Sequence, residues 1–141
     1  MKEEQGFSLI ELLIVCVIIG LVAAIAVPNL TRARQSAYSS SAIQSMRTLT
    51  TAQVLYERKY RKYATLAGLA PEGTLDPYLA SGAKGHYTYV VTLSADELHY
   101  TITASPIIAP TEMTYYFTDE STVIRFNVGT PADVNSDPIP K

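Results

Sequence analysis

The feature that most constrains this chain is a long apolar segment close to its N-terminus. Between Phe7 and Val27 the residues are almost all apolar, and Pro28 closes the segment. As an α-helix, these roughly 21 residues would rise about 31 Å, which is enough to cross the hydrocarbon core of a bilayer. The segment therefore predicts a membrane-spanning helix.

Glu11 is the one acidic residue within this segment, and no Lys or Arg accompanies it. A carboxylate in the bilayer costs at least about 2 kcal/mol, so it indicates a function that involves a cationic partner. Cleavage after Gly6 would create that partner, because Phe7 would then carry a positively charged α-amino group. In subunits stacked with a stagger of one helical turn, this amine would meet the Glu11 of a neighbour.

At these residues the chain resembles a known family. The run Gly6-Phe7-Ser8-Leu9-Ile10-Glu11 follows a very short polar leader and precedes the apolar residues. It is similar to the cleavage and methylation segment of type IV pilins and the related pseudopilins. The resemblance implies removal of residues 1–6 by a prepilin peptidase, N-methylation of Phe7, and assembly of the chain with itself into a helical filament.

The same resemblance implies where the chain is found and how its helix changes. The precursor would lie in the inner membrane, and an assembly platform and motor would move it into an extracellular pilus or a periplasmic pseudopilus. Gly20 and Pro28 match positions between which the family's helix can lose its helical form on assembly. Pro28 itself removes a backbone hydrogen bond and should kink the helix. We therefore expect the chain from Gly20 to Pro28 to extend in the filament.

The helix is expected to continue beyond the membrane, from Phe7 to about Tyr60. Apolar and aromatic residues recur at helical spacing after Pro28 and predict one buried face, made of Tyr38, Ala42, Met46, Leu49, Tyr56 and Tyr60. Turn-forming glycines and prolines then predict a connecting loop. From that loop we expect an inward-facing set of Leu66, Leu69, Leu75, Tyr78 and Leu79.

From residue 86 onward the pattern alternates as in β-strands. Four runs are rich in β-branched and aromatic residues: His86 to Leu93, Leu98 to Ala104, Met113 to Thr118 and Thr122 to Phe126. The predicted fold is α+β, a long N-terminal helix packed on a four-stranded antiparallel meander, similar to a pilin. The expected divisions are a leader (1–6), a transmembrane or filament-core helix (7–28), an amphipathic half-helix (29–62), a connecting loop (63–85), the sheet (86–126) and a C-terminal coil (127–141).

The sequence offers little catalytic chemistry. His86 and His99 lack metal-ligand neighbours at a suitable spacing, and we expect no enzyme activity, cofactor or metal. Asp133, Asn135 and Asp137 alternate as in a calcium loop, but Pro138 stands where such a loop needs glycine. The net charge is −2 and predicts no nucleic acid contact.

Three functions are consistent with the sequence. The first is a type IV pilin that forms a surface filament for adhesion, twitching motility or DNA uptake. The second is a pseudopilin of a type II secretion system, which the imperfect calcium loop disfavours. The third is an unpolymerised, membrane-anchored binding module. Glu11 disfavours the third, because a solitary membrane anchor gains nothing from a buried acid.

Overall fold

The computed structural model describes residues 6–108 and 112–140. The chain divides into two compact units, Met1–Ser36 and Ala37–Lys141. Most of the predicted leader, residues 1–5, lies outside the described residues.

The long helix α1 runs from Leu9 to Tyr60 and contains Pro28 without interruption. It begins two residues later than expected, after Ser8. In the N-terminal unit the side chains from Phe7 to Val27 are exposed throughout. By its length and composition this part of α1 is able to cross a membrane.

Short elements fill the connection between α1 and the sheet. Helix α2 spans Leu66–Leu69, a 3₁₀ turn spans Ala70–Glu72, and helix α3 spans Pro77–Ala80. Asp76 caps α3, because its Oδ1 accepts hydrogen bonds from the backbone N–H groups of Tyr78 at 3.1 Å and Leu79 at 3.0 Å. The cap turns Leu79 into the core and leaves Tyr78 74% exposed. The expected inward position of Tyr78 was therefore wrong, whereas Leu69, Leu75 and Leu79 are buried and Leu66 is half-buried.

The sheet is antiparallel, and each strand pairs with the next one along the chain. The structure gives it six strands: β1 Ala83–Lys84, β2 Tyr87–Leu93, β3 Tyr100–Pro106, β4 Thr114–Asp119, β5 Arg125–Val128 and β6 Asp137–Pro138. The predicted number of four was wrong, since β1 and β6 add a short strand at each edge. The C-terminal segment, expected to be coil, supplies β6, in which Asp137 pairs with Phe126.

The core of the C-terminal unit lies between α1 and one face of the sheet. Ala42, Met46 and Leu49 are fully buried, as the helical pattern predicted, while Tyr60 at the end of the helix is 43% exposed. Alternate strand residues face them, and the buried members on the sheet are Tyr87, Tyr89, Tyr100, Ile102, Ala104 and Tyr116. Cys16 is the only cysteine. No intramolecular disulfide is therefore possible, and packing and hydrogen bonds hold this core.

Tyrosine hydroxyls give the core a polar component. The Tyr87 hydroxyl donates to the carbonyl of Thr114 at 2.8 Å, and burial raises the pKa of Tyr87 to about 12. The rings of Tyr63 and Tyr100 meet edge to face, with centroids 4.6 Å apart. Such aromatic pairs stabilise a core by about 1 kcal/mol beyond the area they bury.

Candidate functional site at the helix N-terminus

Three of the predicted site residues, Gly6, Phe7 and Glu11, lie where α1 begins. Gly6 and Phe7 precede the helix, and Phe7 is 75% exposed. A Cβ atom added to Gly6 would meet no atom within 4 Å. Packing against the described residues, 7–108 and 112–140, therefore gives no reason for glycine at this position.

Glu11 lies in the first turn of α1 and contacts the chain just before it. Its Oε2 accepts a hydrogen bond from the backbone N–H of Ser8 at 3.4 Å. This is one of the two bonds of a capping box, in which Ser and Glu three residues apart satisfy free N–H groups at a helix start. The carboxylate therefore stabilises its own helix and is available to a second partner.

Ser8 is the residue that the sequence analysis missed at this site. The pattern Ser8-x-x-Glu11 before an apolar run is itself a known signal for a helix start. It would have placed the first helical residue at Leu9 instead of Phe7.

Gly20 and Pro28 lie farther along the exposed part of α1. A Cβ atom at Gly20 would also meet no atom within 4 Å. Glycine costs about 1 kcal/mol relative to alanine inside a helix, and packing within the chain does not offset that cost. Three residues after Pro28, the Thr31 hydroxyl donates to the carbonyl of Val27 at 3.1 Å. The segment between Gly20 and Pro28 is thus helical here, with residues that weaken a helix at both of its ends.

The two histidines and the C-terminal acids lie in the C-terminal unit and do not join this site. The His86 ring contacts Tyr38, and His99 Nδ1 lies 2.6 Å from Glu120 Oε1. Asp133 Oδ1 accepts from the Asn135 N–H at 2.9 Å, and this bond in particular lowers the pKa of Asp133. Within residues 6–108 and 112–140, no three His, Cys, Asp or Glu side chains are placed to hold a metal ion.

Comparison with known proteins agrees with this arrangement. Residues 1–27 match the family model of the prokaryotic N-terminal methylation motif, which covers Gly6, Phe7 and Glu11. The chain is 40% identical over 87 residues to the type IV major pilin protein PilA of Myxococcus xanthus, spanning 59% of this chain and 40% of that protein.

Similar proteins also include subunits of secretion systems. The chain is 33% identical over 89 residues to the type II secretion system core protein G of Escherichia coli, spanning 60% of this chain and 61% of that protein. For core protein G of Klebsiella pneumoniae the identity is 28% over 91 residues, spanning 62% and 65%. The chain is homologous to type IV pilins and type II secretion pseudopilins.

The chain matches only part of the length of each of these relatives. It spans between 40% of the length of the Myxococcus pilin and 65% of the length of the Klebsiella protein G. No solved structure gives a significant match to it. The long apolar helix packed with an antiparallel sheet is consistent with the pilin fold.

Proposed function

We propose that this pilin-like chain is the subunit of a type IV pilus, a surface filament for adhesion, twitching motility or DNA uptake. The observation that carries the proposal is its 40% identity to a major pilin, against 33% and 28% to two forms of core protein G. The exposed apolar side chains of residues 7–27 support polymerisation, because a surface of this kind is stable only in lipid or against other copies.

Processing is the first step of this function. A prepilin peptidase cuts between Gly6 and Phe7, and the new amine of Phe7 is then methylated. The methylation-motif match covers both residues. Gly6 precedes the helix, and no packing contact with the part of the chain that the structure describes requires glycine there, so we assign the glycine to recognition by the peptidase.

Assembly then exchanges the partner of Glu11. In the membrane the carboxylate accepts the N–H of its own Ser8. In the filament it pairs with the Phe7 amine of a neighbour and sets the stagger between the two helices. A charged pair in a low dielectric attracts more strongly than a neutral N–H contact, which favours the exchange.

The filament also remodels the helix between Gly20 and Pro28. These two residues have low helix propensity and stand at the two ends of the segment. A Cβ atom at Gly20 would meet no atom of the described residues within 4 Å. We propose that this segment extends on assembly, so that residues 7–28 form the filament core while the C-terminal unit faces water. The partners are other copies of the chain, the prepilin peptidase, and an assembly platform with its motor in the inner membrane.

Intact-mass analysis of filaments sheared from the cell surface tests the proposal. Abundant sheared protein that begins at Phe7 and carries one added methyl group is the expected result. Processed protein found only in the membrane would instead favour the type II secretion pseudopilin. Unprocessed protein would favour a membrane-anchored module. A Gly6→Val variant serves as the processing control and should retain residues 1–6.

A further inference from the structure

Two surfaces of the C-terminal unit have complementary chemistry. The first is the outward face of α1 from Gln44 to Leu55, which we call the Arg47 face. Arg47 and Thr51 are exposed on it, and Leu55 is 46% exposed. Within the described part of the chain, Arg47 has no carboxylate at ion-pair distance. A positive charge and an apolar side chain are therefore both available to a partner.

The second surface, which we call the acidic cleft, lies on the other side of the sheet. It has a volume of about 530 Å³, and its lining includes Thr101, Phe117, Asp119, Glu120, Asp133 and Val134. Along β3 and β4, Thr101 and Phe117 alternate with residues buried against α1, which places the cleft on the opposite face. Val134 is 54% exposed and supplies an apolar rim.

The carboxylates of the cleft are held in place by contacts with nearby residues. Asp119 Oδ1 accepts the N–H of Ser121 at 2.9 Å, and Asp133 Oδ1 accepts that of Asn135 at 2.9 Å. Glu120 uses Oε1 to contact His99. These contacts engage Oδ1 of Asp119, Oδ1 of Asp133 and Oε1 of Glu120. These fixed oxygens suit a guanidinium group, whose planar N–H donors bind carboxylates in pairs.

We propose that the acidic cleft of one copy binds the Arg47 face of a second copy. The guanidinium of Arg47 pairs with the carboxylates of the cleft, and Leu55 packs against Val134. Removing Leu55 and Val134 from water adds an apolar contribution to the ion pair. This contact rests on the proposed function, since it joins subunits of the same filament. In it, Arg47 and Leu55 of one C-terminal unit contact the acidic cleft of the next.

The contact leads to a polymer because its two halves are different surfaces. After one copy has bound another through its cleft, its own Arg47 face and the cleft of its partner are both still free. A heterologous contact of this kind propagates as an open chain unless the rotation closes it into a ring.

Charge reversal on each surface, and then on both, tests the contact in the full chain expressed in cells. Arg47→Glu alone and the pair Glu120→Lys with Asp133→Lys alone should each lower the yield of sheared filaments at least tenfold. Combining all three substitutions in one chain should restore the yield to within about twofold of the unchanged chain. Normal filaments from either partial variant, or no recovery in the combined variant, would overturn the contact.

Cross-linking gives a second test that changes no charge at the interface. In a chain with Cys16→Ser, the added substitutions Thr51→Cys and Val134→Cys should allow a short bismaleimide to link successive copies into a ladder. The matched single-cysteine chains can give dimers at most. If methylated filaments form but show no ladder, the contact is wrong and the proposed function stands. If no processed filaments form, both the contact and the proposed function are wrong.

Discussion

The side-chain amide of Gln53 pairs with both backbone groups of Ala64. Its Nε2 donates to the Ala64 carbonyl at 2.6 Å, and its Oε1 accepts from the Ala64 N–H at 3.1 Å. Gln53 is fully buried and Ala64 is 6% exposed, so water cannot replace either bond. The pair ties the connecting segment to α1 just after the helix has ended.

Replacing Gln53 with leucine should therefore destabilise the protein strongly. The buried N–H and C=O of Ala64 would each lose a partner, at about 1–3 kcal/mol per group. We expect the free energy of unfolding to fall by about 2–6 kcal/mol in urea titrations of the detergent-solubilised chain. Gln44→Leu is the matched control, because Gln44 is exposed on the same helix, and it should change stability by less than about 0.5 kcal/mol.

Arg61 ends α1 in a conformation that favours glycine. Its φ of 58° lies in the left-handed region, and its N–H donates to the Glu57 carbonyl at 2.7 Å. Arg61→Gly should raise the free energy of unfolding by about 1 kcal/mol, because glycine adopts this φ without strain. Arg58→Gly, three residues earlier inside the helix, should lower it by about 1 kcal/mol. Equal signs for the two variants would contradict this assignment.

Two substitutions of Glu11 separate its charge from its role as a helix cap. Glu11→Val removes both, whereas Glu11→Gln keeps an oxygen that can accept the Ser8 N–H. If the charge pairs with the neighbour's amine, both variants should reach the membrane in normal amounts and yield at least tenfold fewer sheared filaments. Filament yield is measured by quantifying sheared protein against total membrane protein. Normal assembly of Glu11→Gln would show that capping is enough.

His99 and Glu120 join the β2–β3 turn to the β4–β5 turn in a pH-dependent way. The hydrogen bond to Glu120 and its negative charge raise the pKa of His99 above the ordinary 6.5. A raised folded-state pKa means that the contact stabilises fully below about pH 6.5 and is lost as the pH rises through the pKa of folded His99. Both side chains are exposed to solvent, so the effect on stability is small.

An NMR titration of the His99 ring protons measures this directly. Glu120→Gln should return the pKa of His99 toward 6.5, since the amide carries no charge. Glu112→Gln changes an exposed acid outside this contact and should leave the titration curve of His99 in place. An unchanged curve in Glu120→Gln would mean that the pair does not form in solution.

The long helix and the central strands were predictable because their signals are local. A 3.6-residue period places Met46 and Leu49 in the core, and strict alternation does the same for Tyr87 and Tyr89. The predicted start of a strand at Leu98 was wrong: β3 begins at Tyr100 and Leu98 is 53% exposed, because Asp96 and Ser94 extend the turn as far as His99. Side-chain bonds within turns override an alternating pattern at the end of a strand.

The edge strand β6 was not predictable from the local pattern. Asp137 and Pro138 have low strand propensity, and their pairing depends on partners more than ten residues away. Arg125 donates to the Ser136 carbonyl at 3.0 Å, and the Ile139 N–H donates to the Ile124 carbonyl at 2.9 Å. At the N-terminal site, cleavage between Gly6 and Phe7 would be carried out by another protein, the peptidase. The sequence of this chain alone therefore gives the motif and nothing more about the cleavage.

The order of the strands affects how the C-terminal unit folds. Because every strand pairs with the one before it, the chain can build the sheet hairpin by hairpin as it emerges from the ribosome or the membrane. Each loop closure is short, and contacts between near neighbours favour rapid folding. A C-terminal unit that has unfolded can therefore refold hairpin by hairpin, without waiting for a disulfide to form.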